Sequence, residues 1–235
     1  MKFTIFFSIF LLVSLHVKSQ FSSTIAVESG ENYASSGYYG NINGGVSYQF
    51  QDWQIATAAG ITLSRAKENV LNALKFDVLR DFTIKEIPFK AEVFYQWRPY
   101  SGRLHEHDAG LLLHYNPKRF ELQLGANTRI YKIPNSYASV NHYTEQTVWE
   151  IFNLMYKASY NQALSEQFNL KFTATNFDVF NIQQETNPML IMSLGYALLK
   201  HAKLALDIGY WQAGLFNMRV NYFGYFTRLG FQYDF

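Results

Sequence analysis

From about residue 20 onward, apolar and polar side chains alternate with a period of two over stretch after stretch of the chain. Ile87, Phe89, Ala91, Val93, Tyr95 and Trp97 form one row, and Lys90, Glu92, Gln96 and Arg98 form the row opposite. The same division sets Ile42, Val46, Tyr48 and Phe50 against Asn41, Asn43, Ser47 and Gln49, and Phe120, Leu122, Leu124, Ala126 and Ile130 against Glu121, Gln123, Asn127 and Arg129. Successive side chains of a strand point to opposite faces, so each stretch predicts a strand with one face in an apolar medium and one in a polar one.

Breakers and polar clusters divide the chain into twelve such strands, over about 21–30, 38–50, 53–63, 70–80, 86–97, 107–115, 119–131, 146–160, 166–179, 188–199, 203–213 and 219–235, with ten or fourteen as alternatives. The connectors alternate in length. Gln51-Asp52, Asn116-Pro117-Lys118, 161–165 and 200–202 are short, whereas 31–37, 64–69, 98–106, 132–145, 180–187 and 214–218 are mostly longer. Phe82 to Glu86 fits the pattern least well. The fold class expected is all-β, a single antiparallel transmembrane β-barrel of twelve strands with short turns at one end and longer loops at the other.

Past the N-terminal stretch the longest nearly apolar run is Met189 to Leu199, eleven residues including Ser193 and Gly195. A spanning helix needs about 20 apolar residues and a spanning strand about 9 to 11. A sheet in lipid must close on itself, because lipid has no partners for an open edge. A soluble sandwich or lipocalin-like barrel alternates in the same way with its apolar face inward, and periodicity alone does not separate the two.

The chain start bears on that choice. Lys2 precedes an apolar stretch, Phe3 to Leu15, and Val17-Lys18-Ser19 places small side chains at the −3 and −1 positions of a cleavage site before Gln20. Residues 1–19 are expected to be a cleaved signal peptide and 20–235 the barrel domain. Removing Lys2 and Lys18 from the 20 basic residues leaves 18 against 18 acidic ones, so composition gives no reason to expect nucleic acid as a partner. There is no cysteine, hence no disulfide and no thiolate chemistry. Phe, Tyr and Trp together number 42, yet mean hydropathy is slightly negative, so apolar residues are abundant but dispersed.

The final stretch carries a resemblance. Phe223, Tyr225, Leu229, Phe231, Tyr233 and Phe235 share one face, against Tyr222, Gly224, Arg228, Gly230, Gln232 and Asp234. This aromatic strand closing on phenylalanine resembles the C-terminal signature of outer-membrane β-barrel proteins of Gram-negative bacteria. The resemblance implies an outer-membrane location, lipid as surroundings, and barrel-assembly machinery as a partner during biogenesis. Phe231, Tyr233 and Phe235 would be the assembly signal.

If the apolar rows face lipid, the lumen collects the charged rows. A Lys or Arg on the lipid face costs about 2 to 4 kcal/mol near the midplane, which favours this placement without any functional reason. The lumen-lining candidates are Lys90, Glu92, Arg98, Asp108, Glu121, Arg129, Lys171, Asp207 and Arg228, joined by Lys75, Asp77, His114, Lys157, Lys203 and Asp234. Eight of these are Lys or Arg and six are Asp or Glu. The basic excess leads to the expectation of a narrow channel for small anionic solutes. The alternative is a lattice of ion pairs sealing the lumen of a structural or accessory subunit with an outer-membrane protein partner. Phe94, Leu112, Tyr131, Trp149, Met155, Phe177, Trp211 and Phe226 fall on the nominally inner rows and favour a filled barrel.

Other candidate chemistry is sparse. His105-Glu106-His107-Asp108 is the densest group of metal-ligand types, with His142 and Glu145 as the nearest further donors, but no spaced metal signature supports it and no metal or other cofactor is expected. Ser136 and Ser139 lie near His142, yet a three-residue spacing puts Ser139 and His142 on opposite faces of a strand and there is no GxSxG elbow, so no enzyme and no catalytic residue is expected. Asn43-Gly44-Gly45 precedes no helix and is not a phosphate loop.

Overall fold

A computed structural model describes residues 19–32, 37–63, 70–99, 105–134, 145–178, 189–212 and 222–235. They form twelve strands: β1 (Ser19–Asn32), β2 (Gly37–Phe50), β3 (Trp53–Thr62), β4 (Leu71–Ile84), β5 (Ile87–Pro99), β6 (His105–Tyr115), β7 (Phe120–Pro134), β8 (Glu145–Ala163), β9 (Phe168–Thr175), β10 (Met189–Leu199), β11 (Ala202–Gln212) and β12 (Tyr222–Asp234). Each pairs antiparallel with its sequence neighbours, and β12 returns to β1 from Ser22↔Asp234 to Asn32↔Gly224, closing the barrel. No helix among the described residues is long and apolar enough to cross a membrane, which says nothing of crossing by strands. The expected export segment lies outside the described residues, save Ser19, which opens β1 opposite Phe50.

The faces of the wall follow the period of two. Val93 is 58% exposed while its neighbour Phe94 is 1% exposed, and Leu111 and Leu112 divide in the same way. The apolar rows therefore point outward. At the short-turn end this outer face carries a belt of aromatic pairs, with ring centroids 5.9 Å apart for Phe82–Phe89, 5.3 Å for Phe89–Tyr115, 5.4 Å for Phe120–Tyr160, 4.7 Å for Phe168–Tyr196 and 5.3 Å for Phe21–Phe235. Amphipathic rings at one height are what a bilayer boundary selects.

Three departures from the strand-by-strand expectation have local causes. The awkward region at Phe82 is strand: β4 runs on to Ile84 and meets β5 through Lys85 (φ 48°) and Glu86 (φ 69°). A two-residue hairpin of the type that matches strand twist needs positive φ at both central residues, and here non-glycine residues supply it, so the usual Asn-Gly mark is missing.

In β8, Asn127 faces Asn153 but Arg129 faces Glu150, so Ile151 and Phe152 both lie outside, 77% and 71% exposed. This bulge reverses the alternation. Trp149, expected on an inner row, consequently points outward at 64% exposure, and Glu150 turns inward.

The third departure is β9, expected to reach 179, which stops at Thr175. The side-chain amide of Asn176 substitutes for the next backbone amide: its Oδ1 accepts from the Tyr156 N–H at 2.9 Å and its Nδ2 donates to the Leu154 carbonyl at 2.7 Å. With the ladder of β8 so satisfied, the chain is released from the wall, and Phe177 and Asp178 turn into the lumen.

Candidate functional site: the lumen

The inner rows of the twelve strands and the inturned segment 176–178 make one continuous interior. Its apolar part is small. Phe94, Leu112, Met155 and Phe177 form a cluster, each no more than 4% exposed, so the segment that leaves β9 packs against side chains of β5, β6 and β8. Rings also fill space over inward glycines. A Cβ on Gly110 would meet Phe94 Cζ at 2.5 Å, and one on Gly209 would meet Phe226 Cε1 at 2.0 Å, and each glycine sits directly opposite its phenylalanine in the register.

The charged groups gather into four clusters and two pairs. On β4 to β6, Lys75 Nζ lies 2.6 Å from Asp77 Oδ1 and 3.4 Å from Glu92 Oε1, while His114 Nε2 lies 2.8 Å from Glu92 Oε2. On β5 to β8, Glu106 accepts from Arg98 at 2.7 Å and from Arg129 at 2.8 Å, Asp108 Oδ2 stands 3.8 Å from Arg98, and Glu150 stands 3.7 Å from Arg129 and accepts the Tyr131 hydroxyl at 3.0 Å. On β7 to β9, Glu121 accepts from both Lys157, at 2.8 Å, and Lys171, at 2.5 Å.

The fourth cluster centres on Arg228 of β12. Its Nε donates to Glu28 Oε2 at 2.7 Å, its Nη1 donates to Asp178 Oδ1 at 3.2 Å, its Nη2 contacts both of those carboxylates, and Nη1 is 3.7 Å from Asp207 Oδ2. Nearer the short-turn end, Lys90 pairs with Asp81 at 3.5 Å and Lys203 with Asp234 at 3.6 Å.

All nine lumen-lining candidates thus sit on the inner face, and each meets an ion-pair partner among the described residues. The arithmetic of their surroundings differs from expectation. These pairs engage eight Lys or Arg side chains and eleven carboxylates, so the formal charge of the lumen among the described residues is negative and the expected basic excess is reversed. The sequence reading left out Glu28, Asp81, Glu106, Glu150 and Asp178. Period-two parity with Ala26 on β1, Lys75 on β4 and Asp108 on β6 could have found Glu28, Asp81 and Glu106. Glu150 was hidden by the bulge, and Asp178 by the departure from β9.

Below the Arg228 cluster, toward the short turns, lies a cavity of about 700 Å³. Lys157, Lys171, Thr173, Thr175, Phe177 and Asp178 line one side, Ser193, Asp207, Arg228 and Gln232 the other, and Glu166 and Gln167 stand at the β8–β9 turn. The interior is therefore polar, paired and closely packed at mid-height, and spacious toward the turns.

The proposed metal-ligand run divides across the wall. His105 and His107 are on the outer row, ring centroids 5.1 Å apart, with His107 Nδ1 2.6 Å from the Tyr95 hydroxyl, while Glu106 and Asp108 are buried in the lumen beside Arg98. No group of three or more potential ligands occurs among the described residues. Ser136, Ser139 and His142 lie outside the described residues, as do the side chains of Glu145, Tyr222 and Phe223. The terminal aromatics are outward: Tyr233 and Phe235 stack edge to face at 4.8 Å, and the Phe235 N–H donates to the Phe21 carbonyl at 2.8 Å, continuing the β1–β12 closure.

No family model matches the chain, and no curated protein matches it. Solved structures do. The KdgM porin, in complex with disordered oligogalacturonate, is 11% identical with a TM-score of 0.54, over 91% of this chain and 99% of that one. The translocator domain of the autotransporter NalP from Neisseria meningitidis is 14% identical with a TM-score of 0.52, over 96% of this chain and 93% of that one. The fold is that of outer-membrane β-barrels.

Proposed function

We propose that the protein resides in the bacterial outer membrane as a narrow channel for small solutes, with a preference for cations over anions. The observation that carries this reading is the polar, ion-paired lumen opening into a cavity of about 700 Å³ inside a wall whose outer face is apolar. A net negative charge along a low-dielectric tube raises the local concentration of cations and lowers that of anions. The fold supports it, since a porin, KdgM, is a barrel of this kind.

A second reading has its own support. Phe94, Leu112, Met155 and Phe177 meet at mid-height with almost no exposure, as the filling of a sealed, non-conducting structural or accessory subunit would. In the channel reading the same cluster, with the 176–178 segment, is the constriction that sets the bore.

Recording from planar bilayers containing the purified, heat-modifiable protein separates the two. Discrete current steps with a reversal potential on the cation side support the channel. Silent membranes with demonstrably inserted and folded protein support the sealed barrel.

A further inference from the structure

The outer row of β6 carries His105 and His107 at the long-loop end of the wall, on one strand face and two residues apart. Glu106 between them and Asp108 after them turn into the lumen, where Glu106 is taken up by Arg98 and Arg129. The parity that separates the acids from the histidines also brings the two imidazoles together. The rung at His107 runs from Trp97 through Ile130 to Trp149, which is 64% exposed. Tryptophan on an outer face gathers where a bilayer meets water, and His105 stands two residues beyond that rung toward the loops, opposite Pro99. Two contacts define the pair. The ring centroids of His105 and His107 lie 5.1 Å apart with their planes at 88°, and the Tyr95 hydroxyl on β5 lies 2.6 Å from His107 Nδ1.

We propose that His105 and His107 form a site for one divalent transition-metal ion of the Zn2+ and Cu2+ class, with Tyr95 as the group that orients His107. A metal–nitrogen bond of about 2.1 Å, extended by about 1.1 Å from nitrogen to ring centre, sets the centres of two imidazoles on one tetrahedral ion about 5.2 Å apart. The observed 5.1 Å matches that span. Near-perpendicular planes are compatible with it, because each ring can turn about its own metal–nitrogen bond. Alternate residues of a strand are roughly 6.8 Å apart along the backbone, so the rings lean toward each other and do not splay. A metal-bound histidine ordinarily gives its other ring N–H to an oxygen, which fixes its tautomer and orientation. Tyr95 offers that oxygen to His107 Nδ1 and leaves the Nε2 lone pair for the ion. Imidazole suits Zn2+ and Cu2+, whereas Mg2+ and Ca2+ take oxygen ligands. No group of three protein ligands occurs among the described residues, so the remaining positions on the ion fall to water.

The site stands whether or not the barrel conducts. Calorimetric titration of the detergent-solubilised, folded protein with zinc chloride should show a single saturable site, undiminished by an excess of Mg2+ or Ca2+. His105→Gln and His107→Gln should each abolish it. Tyr95→Phe, which keeps both ligands, should weaken it about 10- to 100-fold, with heat-modifiable migration retained. Cu2+ in place of Zn2+ gives a readout on unmutated protein: its electron paramagnetic resonance spectrum should carry coupling to two imidazole nitrogens. His142→Gln and His201→Gln leave the pair intact and should bind as wild type does. No saturable Zn2+ binding by folded wild-type protein, binding unchanged in His105→Gln or in His107→Gln, or binding lost in His142→Gln or His201→Gln overturns the site and leaves the two rings as an aromatic contact only. Wild-type affinity in Tyr95→Phe overturns the orienting role of Tyr95.

Discussion

Asp178, carried on the segment that leaves β9, grips Arg228 of β12, with Nη1 to Oδ1 at 3.2 Å and a second contact from Nη2. The bond ties the inturned chain to the strand that closes the barrel against β1. It holds Phe177, the adjacent residue, in the mid-lumen cluster.

Breaking that tie should enlarge the bore. Asp178→Asn removes the charge that holds the segment while Glu28 continues to serve Arg228. The expected result is a larger or noisier single-channel current with little loss of thermal stability. Phe177→Ala should enlarge it further and also lower stability by about 3 to 5 kcal/mol for loss of a buried aromatic ring. Conductance and the temperature of the heat-modifiable shift, measured on the same preparations, check both.

Arg228→Gln should be much more damaging than Asp178→Asn. It leaves Glu28, Asp178 and Asp207 facing one another with no cation between them, and loss of one partner from a buried charge cluster costs about 3 to 5 kcal/mol. The thermal midpoint of the folded barrel should fall accordingly, and restoring balance with Glu28→Gln in the same chain should recover part of it.

Glu106→Gln tests the reciprocal case. Glu106 is fully buried and accepts from both Arg98 and Arg129. Its neutralisation sets two guanidinium groups against each other, with Asp108 at 3.8 Å from one and Glu150 at 3.7 Å from the other as remaining partners. Stability should drop, and any current should shift toward anions. A reversal potential unmoved by the change would show that these charges do not border the conduction path.

Selectivity itself should depend on salt. The Debye length is about 10 Å at 0.1 M and about 3 Å at 1 M, so a preference set by lumen charge should weaken as salt is raised. Reversal potentials under a fixed gradient at the two concentrations give the comparison, and a preference unchanged between them would point to size instead of charge.

The outer face offers an assembly prediction. Replacing both Phe231 and Tyr233 with aspartate places carboxylates on the outward aromatic row of the strand that closes the barrel, which in the proposed membrane location faces lipid, where charge is costly and where the resemblance locates an assembly signal. Membrane-inserted protein should fall sharply relative to wild type, as read by immunoblot of heat-modifiable material.

Most of the wall is legible in the sequence. Strands with two unlike faces and their antiparallel order follow from a period of two and from connectors of alternating length, which are local or pairwise constraints, whereas twelve over ten or fourteen and the outward direction of rows such as Val93 and Tyr95 come from the closed barrel. The charged inner rows followed for the same reason, because a strand's parity fixes both faces at once. The rest lies in whatever breaks that parity or crosses the lumen. The bulge at Ile151 and Phe152 reversed Trp149 and Glu150, because one extra residue on a strand exchanges its faces. Asn176 ended β9 by lending a side-chain amide to the ladder, a substitution that depends on where Leu154 and Tyr156 stand. Asp178 meets Arg228, 50 residues later in the chain, and adds one carboxylate to a lumen that Glu28, Asp81, Glu106 and Glu150 already make acidic among the described residues. Net charge along a tube is a sum over residues from every strand and from the segments that enter it: parity carries Glu28, Asp81 and Glu106, while Glu150 and Asp178 depend on the bulge and on the inturned segment.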